Sequence, residues 1–136
     1  MFKTGDIVRG RVKSNPFIFH VGIIVEEPDG VYIWHNSPDY ENSNGGNILK
    51  TPIDEWLKER TVTYVVHTGI EKEYIEDVAQ NLSDQKYTTF GNNCETFINQ
   101  IRYGFKYSPQ SAWWIFAIGT VSIMAIGLII YLRNRE

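Results

Sequence analysis

Between Ala112 and Leu132 the chain runs for 21 residues without one charged side chain. No other feature constrains the fold as strongly. A helix of that length, rising about 1.5 Å per residue, reaches roughly 30 Å, the hydrocarbon thickness of a bilayer. Trp113 and Trp114 stand at one end and Tyr131 at the other, where interfacial aromatics belong, and Arg133 and Arg135 follow at once. A core helix of a small domain would be shorter and would carry a polar face. The run is therefore read as one C-terminal transmembrane helix. It divides the chain into a domain over 1–111, a span over 112–132 and a short polar tail over 133–136. Arg102 and Lys106 precede the run as Arg133 and Arg135 follow it, so charge counting does not decide the orientation. The opening Met-Phe-Lys-Thr-Gly-Asp has no apolar core and no small-residue cleavage site, unlike a signal peptide. The expectation is a single-pass, tail-anchored membrane protein whose domain faces the cytoplasm.

The remaining residues suffice for one domain of ordinary size. With 43% hydrophobic and 21% charged residues the composition is that of a folded chain, and a net charge of −3 gives no basic footprint for nucleic acid. Ile7–Val12 reads as a short strand after the Thr4-Gly5-Asp6 turn. Phe17–Val25 is a nearly continuous apolar run rich in β-branched and aromatic residues, as in a central strand. Glu27-Pro28-Asp29-Gly30 is a turn, and Val31–His35 returns as the partner strand of a hairpin. Asn36–Asn47 is polar and reads as an exposed loop. Thr51 and Pro52 look like the cap and first position of a helix ending near Arg60. Val62–His67 is a further strand. Glu71–Ser83, with Tyr74, Val78 and Leu82 four apart, is an amphipathic helix. Lys86–Phe90 reads as extended, a helix follows from about Asn93 to Tyr103, and Tyr103–Ser111 links it to the apolar run. Strands followed by helices predict an α+β domain with helices packed on an antiparallel sheet.

Chemistry concentrates at Phe90-Gly91-Asn92-Asn93-Cys94-Glu95-Thr96-Phe97, which holds the only cysteine. One cysteine makes no intramolecular disulfide, so its thiol is free, consistent with a reducing compartment. A lone cysteine can simply be a small buried hydrophobe. Here, however, a Gly-Asn-Asn turn leads into a helical pattern with Phe97, Ile98 and Ile101 on its apolar side and Gly104 as terminator. Asn92 would cap the helix and place Cys94 in its first turn. The unpaired amides and dipole there favour a thiolate, and the amides around Asn92, Asn93 and Cys94 could hold an oxyanion.

The histidines are His20, His35 and His67. His20 lies mid-strand among apolar residues, where an imidazole needs a hydrogen-bond partner or a role. It shares a face with Gly22 and Ile24. If Val25 pairs with Gly30 across the hairpin, His20 stands directly opposite His35; if Glu26 pairs with Val31, the two are diagonal neighbours on one face. Either register brings them close, with Gly22 leaving room for an incoming helix. A thiol facing a sheet histidine that a second polar group orients is the general layout of an activated nucleophile. Satisfied core or surface histidines remain the plainer reading. Cys94, His20 and His35 could instead supply three zinc ligands, but no ligand-pair spacing supports a metal, and none is expected. His67 ends a strand and reads as structural.

The segment from Asn93 to Gly104 resembles the Asn-Cys-Glu-His-Phe signature of the lecithin:retinol acyltransferase (LRAT) family. It is most similar to the H-rev107-like phospholipase/acyltransferase branch, where the signature also runs on into Arg-Tyr-Gly. Thr4–Val8 is similar to the family's opening Gly-Asp turn and strand, His20–Val25 to its His-x-Ala-Ile-Tyr-Val strand, and Val31–His35 to the strand ending in its second histidine. The resemblance implies a circularly permuted papain-like (NlpC/P60-type) fold. Residue by residue it implies Cys94 as nucleophile, His20 as general base and His35 as the group that orients the base, with no cofactor. Thr96 stands in place of the signature histidine and Ile24 in place of the usual tyrosine, so both, with Gly22, are expected to line the substrate site. The implied activity is that of a membrane-anchored thiol acyltransferase or phospholipase A. It would act on glycerophospholipids through an acyl-thioester passed to water, an amine or a hydroxyl. A papain-like cysteine amidase or peptidase, and a non-catalytic tail-anchored binding module, are the alternatives.

Overall fold

The strand that begins at Phe19 is the middle one of five. In the structure, a computed structural model that describes residues 1–37, 48–88, 93–105 and 109–133, the chain forms β1 (Asp6–Val12), β2 (Phe19–Glu27), β3 (Gly30–Asn36), β4 (Ile48–Pro52), α1 (Ile53–Lys58), β5 (Arg60–His67), α2 (Lys72–Leu82), α3 (Cys94–Tyr103) and α4 (Pro109–Arg133). The sheet order is β4-β3-β2-β1-β5, and the neighbours pair antiparallel throughout. The domain is thus α+β.

The unbroken apolar run of β2 follows from its position, because a central strand covered on both faces has no solvent side to encode. Ile23, Ile24 and Val25 are all fully buried. On one face Ile7, Ile23 and Val25 pack with Ile75 and Ala79 of α2 and with Phe97, Ile98 and Ile101 of α3. On the other, Val8, Ile24 and Ile33 pack with Ile53 and Trp56 of α1. Two glycines permit this closeness. A Cβ on Gly10 would lie 2.7 Å from Trp56 Cη2, and one on Gly22 would lie 2.5 Å from Ile33 Cγ1 and 2.8 Å from the Trp34 carbonyl oxygen. The space at Gly22 is therefore taken by the adjacent strand and not by an incoming helix.

β4 was not legible as a strand. Thr51 and Pro52 belong to it, pairing with Ile33 and Tyr32, and Pro52 ends the strand as the residue before α1. A proline fits there because β4 is an edge strand and this position needs no ladder donor. The loop expected over 36–47 starts later, since Asn36 is a buried residue of β3; positions 38–47 lie outside the described residues. Glu27 ties the layers together, accepting from Lys50 of β4 and from Lys72 of α2. Those two ammonium groups hold its carboxyl down to about 2.

The C-terminal anchor requires correction. Residues 109–133 are helical, but among the described residues no helix is long and apolar enough to cross a membrane. A transmembrane helix over 112–132 is not supported, nor is the single-pass placement with a cytoplasm-facing domain that was built on it. Absence of charge, length and flanking aromatics are required of a span but do not establish one. Gly119, Thr120 and Ser122 sit mid-run, and the two hydroxyls donate back to the carbonyls of Phe116 and Ile118 at 2.9 Å. Among the described residues, none of α4 belongs to either core cluster.

Candidate active site

The local sequence fixes where Cys94 sits. Asn93 holds an extended conformation and caps α3: its Oδ1 accepts from the amides of Glu95 and Thr96, each at 3.0 Å. Thr96 Oγ1 in turn accepts from the Asn93 amide at 2.8 Å, which completes a capping box. The cap is therefore Asn93 and not Asn92, which lies outside the described residues. At the other end Gly104, with φ 73, closes the helix in the left-handed conformation. Cys94 is thereby the first helical residue, and only 5% of it is exposed.

Burial reverses the expected electrostatics of the thiol. Desolvation pushes Cys94 up to about 11, and the charge of Glu95 adds to the rise, while backbone hydrogen bonds from Val21, Glu95 and Cys94 itself pull the other way. The helix terminus does favour a thiolate, but withdrawing a charge from water costs more than a few amides return.

His20 and His35 meet. The hairpin adopts the register in which Glu26 pairs with Val31, so the histidines are diagonal neighbours. His20 Nε2 lies 2.9 Å from His35 Nδ1, with the rings edge-on, centroids 5.0 Å apart. Both are buried, at 6% and 4% exposure. Burial holds His20 well below 6.5, and the neighbouring His35 and Arg60 lower it further. Burial and then Arg60 bring His35 to about 4. Even an unshifted imidazole at 6.5 lies more than four pH units below a thiol at about 11, so transferring that proton at rest is uphill by roughly 6 kcal/mol. The resting site is a neutral thiol beside neutral imidazoles.

Cysteine and histidine meet β2 at neighbouring residues. α3 packs on the Val21–Ile23–Val25 face, where Cys94 reaches the backbone of Val21. The His20 ring stacks on Trp56 of α1 with centroids 6.2 Å apart. Among the described residues no hydrogen bond joins His20 to Cys94. They share one stretch of backbone, His20-Val21, through which the thiol is positioned relative to the ring. In front of His20 opens a cavity of about 540 Å³, to which Lys13, Phe19, Glu59, Arg60 and Tyr87 contribute. Cys94 does not line it. Behind His35 a second cavity of about 360 Å³ is bounded by Thr51, Trp56 and Arg60.

Three residues expected at the substrate site pack elsewhere. Gly22 lies under Ile33, Ile24 is fully buried with Trp56 and Val8, and Thr96 serves the α3 cap. None is among the described residues lining the cavity at His20. His67 Nδ1 lies 2.8 Å from Asp6 Oδ1, tying the end of β5 to the start of β1. Sequence reasoning missed Trp56, which sits on Gly10 and carries the His20 ring, and Thr51, whose Oγ1 lies 3.0 Å from His35 Nε2. A small residue opposite a strand histidine was the available signal for Trp56: Gly10 pairs with His20. Among the described residues no group of three His, Cys, Asp or Glu side chains could hold a metal ion. His20 and His35 instead direct ring nitrogens at each other.

No family model, curated protein or solved structure matches this chain.

Proposed function

We propose that the protein is a cysteine-dependent acyltransferase or phospholipase A acting on glycerophospholipids, in line with the LRAT-like segment around Cys94. One observation carries the reading: a lone thiol at a capped helix N-terminus receives backbone hydrogen bonds from Val21, Glu95 and Cys94, and Val21 follows His20 directly in the chain. Those amides favour negative charge at the sulfur, and such donors also stabilise the oxyanion of an attacked ester carbonyl.

Because thiol and imidazole rest neutral, the proton moves as the sulfur attacks. Sγ bonds to the ester carbon while its proton passes to His20, and the carbonyl oxygen takes the negative charge. Collapse breaks the bond to the glycerol oxygen, which leaves with the proton from His20, and an acyl-thioester remains on Cys94. Water, an amine or a hydroxyl then attacks the thioester and gives up its proton to His20, and the sulfur departs as the thiol. Nε2 of His20 is engaged with His35, so Nδ1 is the nitrogen that handles these protons. His35 orients the ring, the third role in a triad.

The test is intact-mass spectrometry after incubation with phosphatidylcholine dispersions. A mass increase of one acyl chain, mapped to Cys94 and absent in Cys94→Ala, is the expected result. His20→Ala should leave the thiol unacylated. No adduct in wild type under any lipid condition, with a folded protein, would leave the non-catalytic reading standing. Cleavage of amide but not ester substrates would favour the amidase.

A further inference from the structure

The hydrogen-bond chain does not end at His35. β4 pairs with β3 so that Thr51 stands opposite Ile33, which puts Thr51 on the same face as His35 and diagonal to it. His20 stands in the same diagonal relation to His35 across the β2–β3 ladder. Three adjacent strands thus lay His20, His35 and Thr51 in one line, with contacts of 2.9 Å from His20 Nε2 to His35 Nδ1 and 3.0 Å from His35 Nε2 to Thr51 Oγ1.

A neutral imidazole carries one proton, and a buried chain of two such rings has only two self-consistent arrangements. In one, Nε2–H of His20 donates to Nδ1 of His35 and Nε2–H of His35 donates to the Thr51 hydroxyl oxygen; Nδ1 of His20 then bears a lone pair. In the other, every donor is reversed, and Nδ1 of His20 carries a proton and can accept none. We infer that Thr51 is the positioning residue of this site: its hydroxyl oxygen accepts from His35 and thereby sets the tautomers of both histidines, leaving Nδ1 of His20 free to receive a proton.

One observation favours that direction. Thr51 is only partly buried, and with His35 it lines the cavity of about 360 Å³, so water there can accept its own hydroxyl proton while the oxygen lone pairs face the ring. The tautomer assignment stands on this geometry alone, whereas its catalytic meaning rests on the thiol chemistry proposed above.

The experiment is long-range ¹H–¹⁵N spectroscopy of the full chain labelled at histidine, at neutral pH, with His67→Gln to identify the third ring. In the otherwise unaltered chain, Nε2 of both His20 and His35 should be pyrrole-type and both Nδ1 atoms pyridine-type. Thr51→Val keeps a β-branched residue suited to a strand but removes the acceptor. The reversed tautomers should then appear, with a proton on Nδ1 of His20, and Thr51→Ser should restore the original pattern. Acylation of Cys94 should slow by roughly ten- to a hundredfold in Thr51→Val, through kcat and not KM, and recover in Thr51→Ser. A protonated Nδ1 of His20 with Thr51 in place, or unchanged tautomers in Thr51→Val, would overturn the inference. The expected tautomer pattern in a protein that acylates nothing would overturn the proposed activity and leave the role of Thr51 intact.

Discussion

Lowering the pH from 7 to 4.5 should destabilise this protein through the buried histidine pair. His35 titrates at about 4 in the folded protein against 6.5 for the free side chain. The unfolded chain therefore binds more protons throughout that interval. Stability is complete above about pH 6.5 and is lost progressively as the pH falls toward 4. A separation of about 2.5 pH units corresponds to roughly 3 kcal/mol, with a slope approaching about 1.4 kcal/mol per pH unit while only the unfolded imidazole is charged. His20 shifts in the same direction. It too takes up a proton on unfolding in this range, which steepens the loss. Glu27 acts lower: Lys50 and Lys72 hold it at about 2 against 4.5, so its contribution is present above 4.5 and fades as the pH falls toward 2. Urea unfolding followed by far-ultraviolet circular dichroism at half-unit steps from pH 7.5 to 4.5 isolates the histidines. The wild-type unfolding free energy should drop by at least about 2–3 kcal/mol, and His20→Gln/His35→Gln should flatten most of that slope. Stability level to within about 0.5 kcal/mol from pH 7 to 5, or an unchanged slope in the double variant, would show that the pair is not held neutral by the fold.

Packing and capping give two further tests. Gly10→Ala places a Cβ 2.7 Å from Trp56 Cη2, so it should cost about 1–3 kcal/mol in urea unfolding and shift the His20 ring resonances as Trp56 is displaced; unchanged stability and unchanged resonances would remove Trp56 as the support of that ring. Thr96→Val removes the acceptor of the buried Asn93 amide and should cost about 1–3 kcal/mol, with faster amide exchange confined to the first turn of α3. Exchange at wild-type rates there would show that Asn93 alone maintains the cap.

What the sequence determined on its own were the features written in contiguous residues. The run Phe17–Val25 reads as a central strand, and from Phe19 on it is one, while Phe17 and Ile18 lie before the strand and are exposed. The Glu27–Gly30 turn forced an antiparallel return that brought His20 within reach of His35. The apolar spacing of Phe97, Ile98 and Ile101 marked the buried face of α3, and Gly104 its end. Where the signal was local but degenerate, it misled. Thr51-Pro52 suits a helix start as well as the last residues of an edge strand, and only pairing with Ile33 and Tyr32 selects the second. Absence of charge over 112–132 is likewise shared by spans and by helices that do not cross a membrane. The tertiary structure alone decided which of two hairpin registers holds, how far burial outweighs a helix terminus at Cys94, and at which residue of β2 the thiol arrives. These depend on what packs against a residue and how much water is removed from it. A thiol and an imidazole have no fixed proton affinity in sequence; their neighbours set it, and those neighbours are brought in by strands and helices up to tens of residues away.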